Sequence, residues 1–145
     1  MTGNCRFLRV RGGICYFAQV RVEVYPGHAP LEVEDQLPEQ VDAEIGEVNR
    51  QTAPTWVPAA LEGIRATVAE AAARGTLPSG GKVALTRLVG SFVDTRDDVV
   101  RCAAILAAWE GLGLPEPSPE VVFDGQAWTV RWPVRLENPV HEITP

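Results

Sequence analysis

The run Cys15-Tyr16-Phe17-Ala18-Gln19-Val20-Arg21-Val22-Glu23-Val24-Tyr25 constrains this chain most. Tyr16, Ala18, Val20, Val22 and Val24 alternate with Phe17, Gln19, Arg21 and Glu23. A period of two is the mark of a strand with one face buried and one face wet. Such a strand needs neighbours for its backbone groups and a second layer over its apolar face. The first neighbour is Arg6-Phe7-Leu8-Arg9-Val10, joined to it by Arg11-Gly12-Gly13, which reads as a hairpin turn. Pro26-Gly27 ends the long strand.

The layer that covers this sheet is legible downstream. Val57, Leu61, Ile64, Val68 and Ala71 fall on one face of a helix predicted from Thr55 to Arg74, with Pro58 in its first turn and Gly75 as its stop. Residues 82–89, KVALTRLV, predict a strand, with Val83, Leu85, Arg87 and Val89 on one side. A second helix is expected to start with Asp94 or Thr95 as its N-cap and to bury Val99, Cys102, Leu106 and Trp109. Leu31-Glu32-Val33-Glu34 predicts a short strand antiparallel to the one before it. Residues 35–53 read as a short amphipathic helix or a surface insertion. After the proline-rich stretch at Pro115, Pro117 and Pro119, VVF and QAWTVRW around Asp124-Gly125 predict a terminal hairpin, followed by a tail. The order β-β-β-(α)-α-β-α-β-β predicts one α+β domain over residues 1–145, a two-layer sandwich with both main helices on one face.

Most catalytic chemistry finds no residues here. The three cysteines, Cys5, Cys15 and Cys102, form no CxxC pair, which argues against a zinc module or a disulfide scaffold. His28 and His141 have no ligand or catalytic partner at a useful spacing. GTLPSGGKV at 75–83 resembles a phosphate loop, but Val83 follows Lys82 where Ser or Thr is needed, and the stretch precedes a strand instead of following one. Asp94, Asp97 and Asp98 are explained by a helix start. The expectation is therefore a non-enzymatic protein with no cofactor and no metal. No apolar run approaches a membrane span and no signal sequence opens the chain, so a cytoplasmic protein without a membrane partner is expected.

Charge is segregated. The net charge is -6, yet the first thirty residues hold Arg6, Arg9, Arg11 and Arg21 against Glu23 alone. Residues 31–62 hold eight acids against Arg50. A basic patch can act locally on an acidic protein. Its arginines are interleaved with Phe7, Tyr16 and Phe17, a pairing that suits both a packed hairpin and a surface for stacking bases and holding phosphates.

Three stretches in the same order resemble domain IV of elongation factor G, a domain also found in tetracycline-resistance ribosome-protection proteins. They are GICYFAQVRVEVYP at 13–26, APTWVPAALEGI at 53–64 and VALTRLVGSFVDTRDD at 83–98, and the resemblance spans about residues 13–110. Gly13, Val20, Val22, Val24 and Pro26 match in the first; Pro58, Ala59, Gly63 and Ile64 in the second; Thr86, Gly90, Ser91, Phe92 and Asp94 in the third. The family's Gly-Arg-Gly-Gln-Tyr-Gly loop is here Gly-Ile-Cys-Tyr-Phe-Ala, and Val93 stands in place of its tip histidine. The resemblance implies a mixed sheet with the fold of the second domain of ribosomal protein S-five, including a left-handed βαβ crossover. It also implies a module that contacts the ribosome or other structured RNA through two tip loops. The chain's 145 residues carry no GTPase domain, so it does not imply a translocase. The implied contacts are Arg9, Arg11, Arg87 and Arg96 for phosphates, Tyr16 or Phe92 for stacking, and Gly12, Gly13, Gly90 and Ser91 in the tips. The competing expectation is a protein-interaction module with no nucleic-acid role, its acidic 31–62 segment facing a basic partner.

Overall fold

The computed structural model describes residues 1–135; the predicted tail, His141 included, lies outside them. β1 (Thr2–Arg11) and β2 (Ile14–Pro26) form the expected antiparallel hairpin, Arg11 opposite Ile14. Gly12 and Gly13 make its two-residue turn at φ of 58° and 78°, left-handed values that glycine adopts without a Cβ penalty. β2 pairs antiparallel with β4 (Gly81–Val89), and β3 (Glu32–Asp35) lies on the far side of β4, giving the order β1-β2-β4-β3. α1 (Trp56–Ala73) and α2 (Asp97–Gly111) cover one face, α2 across β1 and β2, α1 against α2, β3 and β4. β5 (Glu120–Phe123) and β6 (Trp128–Arg131) form a separate hairpin against α2. The protein is a mixed-sheet α+β sandwich.

Several expectations need correction. β3 does not pair with β2; it runs parallel to β4, Val33 opposite Val83, so β3–α1–β4 is the crossover unit. Residues 35–53 form no α-helix. They hold a single 3-10 turn, Ala43–Ile45, and then dock on the sheet: the N–H of Val48 donates to the Leu88 carbonyl and that of Gly90 to the Gly46 carbonyl. Leu37, Val48 and Asn49 are buried there, and the Asn49 amide donates to the carbonyls of Pro38 and Glu39. In β4 a bulge between Arg21 and Val22 of its partner leaves Thr86 as the extra residue. Val83 and Leu85 therefore face the helices, while Arg87 and Val89, predicted to join them, turn to the opposite face with Arg21 and Gln19. The Thr86 hydroxyl fastens the bulge, donating to the Arg21 carbonyl and accepting from Arg21 Nε at 3.2 Å.

Helix α2 begins one or two residues later than predicted. Arg96 is its cap position, in an extended conformation, and neither Asp94 nor Thr95 caps it. Its buried surface is also wider than a single stripe, because the sheet covers one side and α1 the other. Ile105 is fully buried, whereas Leu106 is only half-buried. Gly63 of α1 lies so near α2 that a Cβ there would come within 2.5 Å of the Arg101 carbonyl oxygen. Helices that approach this closely need small residues at the crossing.

Candidate nucleic-acid interface

The hairpin turn and the loop after β4 meet at one end of the sheet. The N–H of Phe17 donates to the Asp94 carbonyl at 3.0 Å, and the Thr95 hydroxyl donates to the Phe17 carbonyl at 2.6 Å. Thr95 also accepts from the N–H of Ser91 at 2.8 Å. A residue expected to cap α2 instead ties the two predicted tips together.

Behind the hairpin turn stands a cluster of rings. Trp128 of β6 lies 5.4 Å from Phe7, 5.5 Å from Tyr16 and 5.0 Å from Phe123, centroid to centroid. Three guanidinium groups lie over the rim of this cluster: Arg9 over Phe7 at 5.0 Å, Arg11 over Phe123 at 5.4 Å and Arg96 over Tyr16 at 5.6 Å. On the other face of the hairpin Arg6 lies over Phe17 at 5.6 Å. Stacking on a ring holds a guanidinium in place without consuming its in-plane N–H donors. Arg9 commits one of them to the Leu8 carbonyl at 3.1 Å.

The predicted contact residues separate into two groups. Arg9, Arg11, Gly12 and Gly13 are exposed at the turn, and Phe92 is 83% exposed on the neighbouring loop, leaning on Trp56 at 5.4 Å. Tyr16 is buried beneath the β5–β6 hairpin and cannot stack on a base. Arg87 is paired with Glu47 at 3.0 Å. Arg96 forks onto Asp98 through Nε and Nη2, and donates to the Gln126 carbonyl at 2.7 Å. Gly90 serves packing: a Cβ would come within 2.6 Å of the Trp56 ring. Ser91 accepts from the N–H of Val93 through its hydroxyl at 3.4 Å, within the loop itself. The cations of the turn without an acidic partner therefore lie on both faces of the hairpin, Arg9 and Arg11 on one and Arg6 on the other, and Arg96 belongs to the scaffold. Arg6 belongs to the basic, aromatic-interleaved stretch of the sequence but not to the tip contacts that the resemblance implies; that it has no acidic partner among the described residues shows only in three dimensions.

The remaining chemistry is structural. Burial pushes the Cys5 thiol up to about 11 and the Cys102 thiol up to about 12, which removes both as thiolate nucleophiles. The carboxylates of Asp98 and Asp124 hold the β5–β6 hairpin: Asp98 accepts from the N–H of Trp128, and Asp124 from those of Ala127 and Gln126. These two N–H donors lower the Asp124 carboxyl below its ordinary range. Asp124-Gly125 opens a four-residue loop, since Phe123 pairs with Trp128. A cavity of about 760 Å³ lies far from the tips, between Trp109, Pro115, Pro117 and Val134. Its one buried cation, Arg74, is already held by Glu70, the Pro133 carbonyl and the Trp109 ring. No helix among the described residues is long and apolar enough to cross a membrane.

No protein-family profile and no curated protein matches this chain. Among solved structures, the fold is similar to that of a Thermus thermophilus protein known from its crystal structure, with a TM-score of 0.56 and 18% identity. The match covers 75% of this chain and 15% of that one, so this chain corresponds to a small part of a much longer protein. At this identity the likeness concerns the fold alone.

Proposed function

We propose that the chain is a non-enzymatic module that binds structured RNA, ribosomal RNA included, through the β1–β2 turn and the adjoining loop at 90–96. One observation carries the reading. Among the described residues eight cations are paired with acids; of the five that are not, Arg6, Arg9 and Arg11 are consecutive cations of β1, Arg21 of β2 spends its Nε on the Thr86 hydroxyl, and Arg65 lies on α1. In a chain of net charge -6, three guanidinium groups without an acidic partner along one strand make a local anion-binding surface around the hairpin turn. The exposed Phe92 ring, which lines one groove with Arg6, offers a stacking platform. The sequence resemblance to elongation factor G domain IV, whose tip loops contact RNA, points the same way. In the acidic 31–62 segment, the candidate for a protein partner, Glu34, Asp35, Glu47 and Glu62 are engaged by Lys82, Arg50, Arg87 and Arg101, while Glu32, Glu39, Asp42 and Glu44 have no cation partner among the described residues.

Titration of RNA against salt tests the proposal. Binding through about three phosphates gives a log–log slope near -2 to -3. Arg9→Ala with Arg11→Ala should flatten it by about two contacts. A double variant that binds ribosomes or free RNA like the parent would defeat the proposal.

A further inference from the structure

The strand that carries the unpaired arginines is also an open edge of the sheet. β1 is ten residues long and, among the described residues, pairs with β2 alone. The N–H of Met1 donates to the Val24 carbonyl and the N–H of Val24 to that of Met1. By the antiparallel pattern, odd-numbered residues of β1 exchange hydrogen bonds with β2, and even-numbered residues direct N–H and C=O outward. Of these, the Asn4 N–H is taken by Glu110 Oε1 at 3.1 Å, and the Leu8 carbonyl by the Arg9 side chain. The N–H groups of Arg6, Leu8 and Val10 have no partner among the described residues. Leu8 and Val10 are exposed apolar residues, Val10 at 71%. Proteins ordinarily blunt an edge of this kind, because unpaired backbone recruits another strand.

We propose that this edge takes up an extended acidic peptide as a fifth strand of the sheet. The charge of β1 selects the partner. Thr2–Arg11 contains Arg6, Arg9 and Arg11 and no acid, so a second β1 laid alongside would set like charges together. An incoming antiparallel strand meets Arg11, Val10, Arg9, Leu8, Phe7 and Arg6 in turn. Cross-strand pairing then asks for acid, apolar, acid, apolar, small and acid side chains in that order. The acid opposite Arg9 would draw its guanidinium away from the Leu8 carbonyl and free that acceptor. Main-chain hydrogen bonds supply affinity and the alternating side chains supply selectivity. The proposal is independent of the RNA reading, although both draw on Arg9 and Arg11.

The probe is a fluorescein-labelled peptide, Glu-Val-Glu-Val-Thr-Glu, titrated by anisotropy into the whole protein, beside the same peptide with lysine for glutamate. The acidic form should bind, and hydrogen exchange at the Arg6, Leu8 and Val10 amides should slow. Leu8→Pro removes an outward donor without touching the β2 ladder and should weaken binding by about tenfold. Alternate N-methylation of the peptide serves as a test on the unaltered protein. Methyl groups on the amides that face β1 should abolish binding, and those on the intervening amides should leave it. Equal binding of both methylated forms, equal binding of the lysine peptide, or no binding would overturn the proposal. So would slowed exchange at these amides that depends on protein concentration without peptide, which would identify a second copy as the occupant. RNA titration of the same protein is scored separately, so the two readings fail independently.

Discussion

At its open end the β1–β2 hairpin lies under α2; at its turn it stands clear of it. The parity of the side chains is the same throughout. Gly3, Cys5 and Phe7 face the helices, and Arg9 and Arg11 continue that row. What changes is the cover. Gly3 lies so close to α2 that a Cβ would sit 1.8 Å from the Ala107 carbonyl oxygen, and Phe7 is buried against Trp128. Past Phe7 the cover becomes the edge of the β5–β6 hairpin. It closes over Tyr16 and leaves Arg9, directly opposite Tyr16, at its rim. Alternation in a sequence tells which face a residue takes, and only the packed layer tells how far along the strand that face stays dry. The free arginines lie where the cover ends.

The largest expected effect tests the covered half. Ile105→Ala, from the fully buried side of α2, should lower stability by about 2–5 kcal/mol in urea denaturation. Leu106→Ala should cost clearly less, since its side chain is half-buried. A Leu106 cost equal to that of Ile105 would mean that α2 is rotated about its axis from this orientation.

Two glycines of the same hairpin set its ends against each other. Gly3→Ala must move α2 or β1, because the obstructing atoms are the backbone of Ala107 and Gly111, and should cost about 3 kcal/mol. Gly12→Ala meets no atom within 4 Å and bears only the strain of a positive φ, about 1–2 kcal/mol. Reversal of that order in thermal unfolding would show that the root is looser than the tip.

Local pattern accounts for much of the fold and little of the site. The β2 alternation, the α1 stripe from Val57 to Ala71 and the β5–β6 hairpin are written in adjacent residues, and each is present. The parallel pairing of β3 with β4 is not, because its partner lies some fifty residues on and Glu32–Asp35 has no feature that names it. Nor is the bulge at Thr86, where one extra residue reverses the face of Arg87. The choice among arginines fails for the same reason. Arg9, Arg11, Arg87 and Arg96 look alike in sequence, and only the positions of Glu47 and Asp98 divide those that hold the fold from those that are free.

The smallest expected effect separates those two kinds of arginine. Arg96 joins Asp98, the Gln126 carbonyl and the Tyr16 ring, and so links the cap of α2 to the β5–β6 loop. Its guanidinium is partly exposed, so Arg96→Ala should cost about 1 kcal/mol, most of it from the hydrogen bond to Gln126. Arg9 offers the fold only a place on the Phe7 ring and a hydrogen bond to its neighbour Leu8. Arg9→Ala should therefore cost about 0.5 kcal/mol, the scale of an exposed cation–π contact. Binding should rank the two in the opposite order. Loss of Arg9 should remove one phosphate contact from the salt slope, while loss of Arg96, whose charge Asp98 already neutralises, should leave the slope unchanged. Paired melts and salt titrations of the two variants decide the matter. An Arg96→Ala variant that flattens the slope as much as Arg9→Ala would extend the binding surface across the β5–β6 loop and remove the distinction between scaffold and patch.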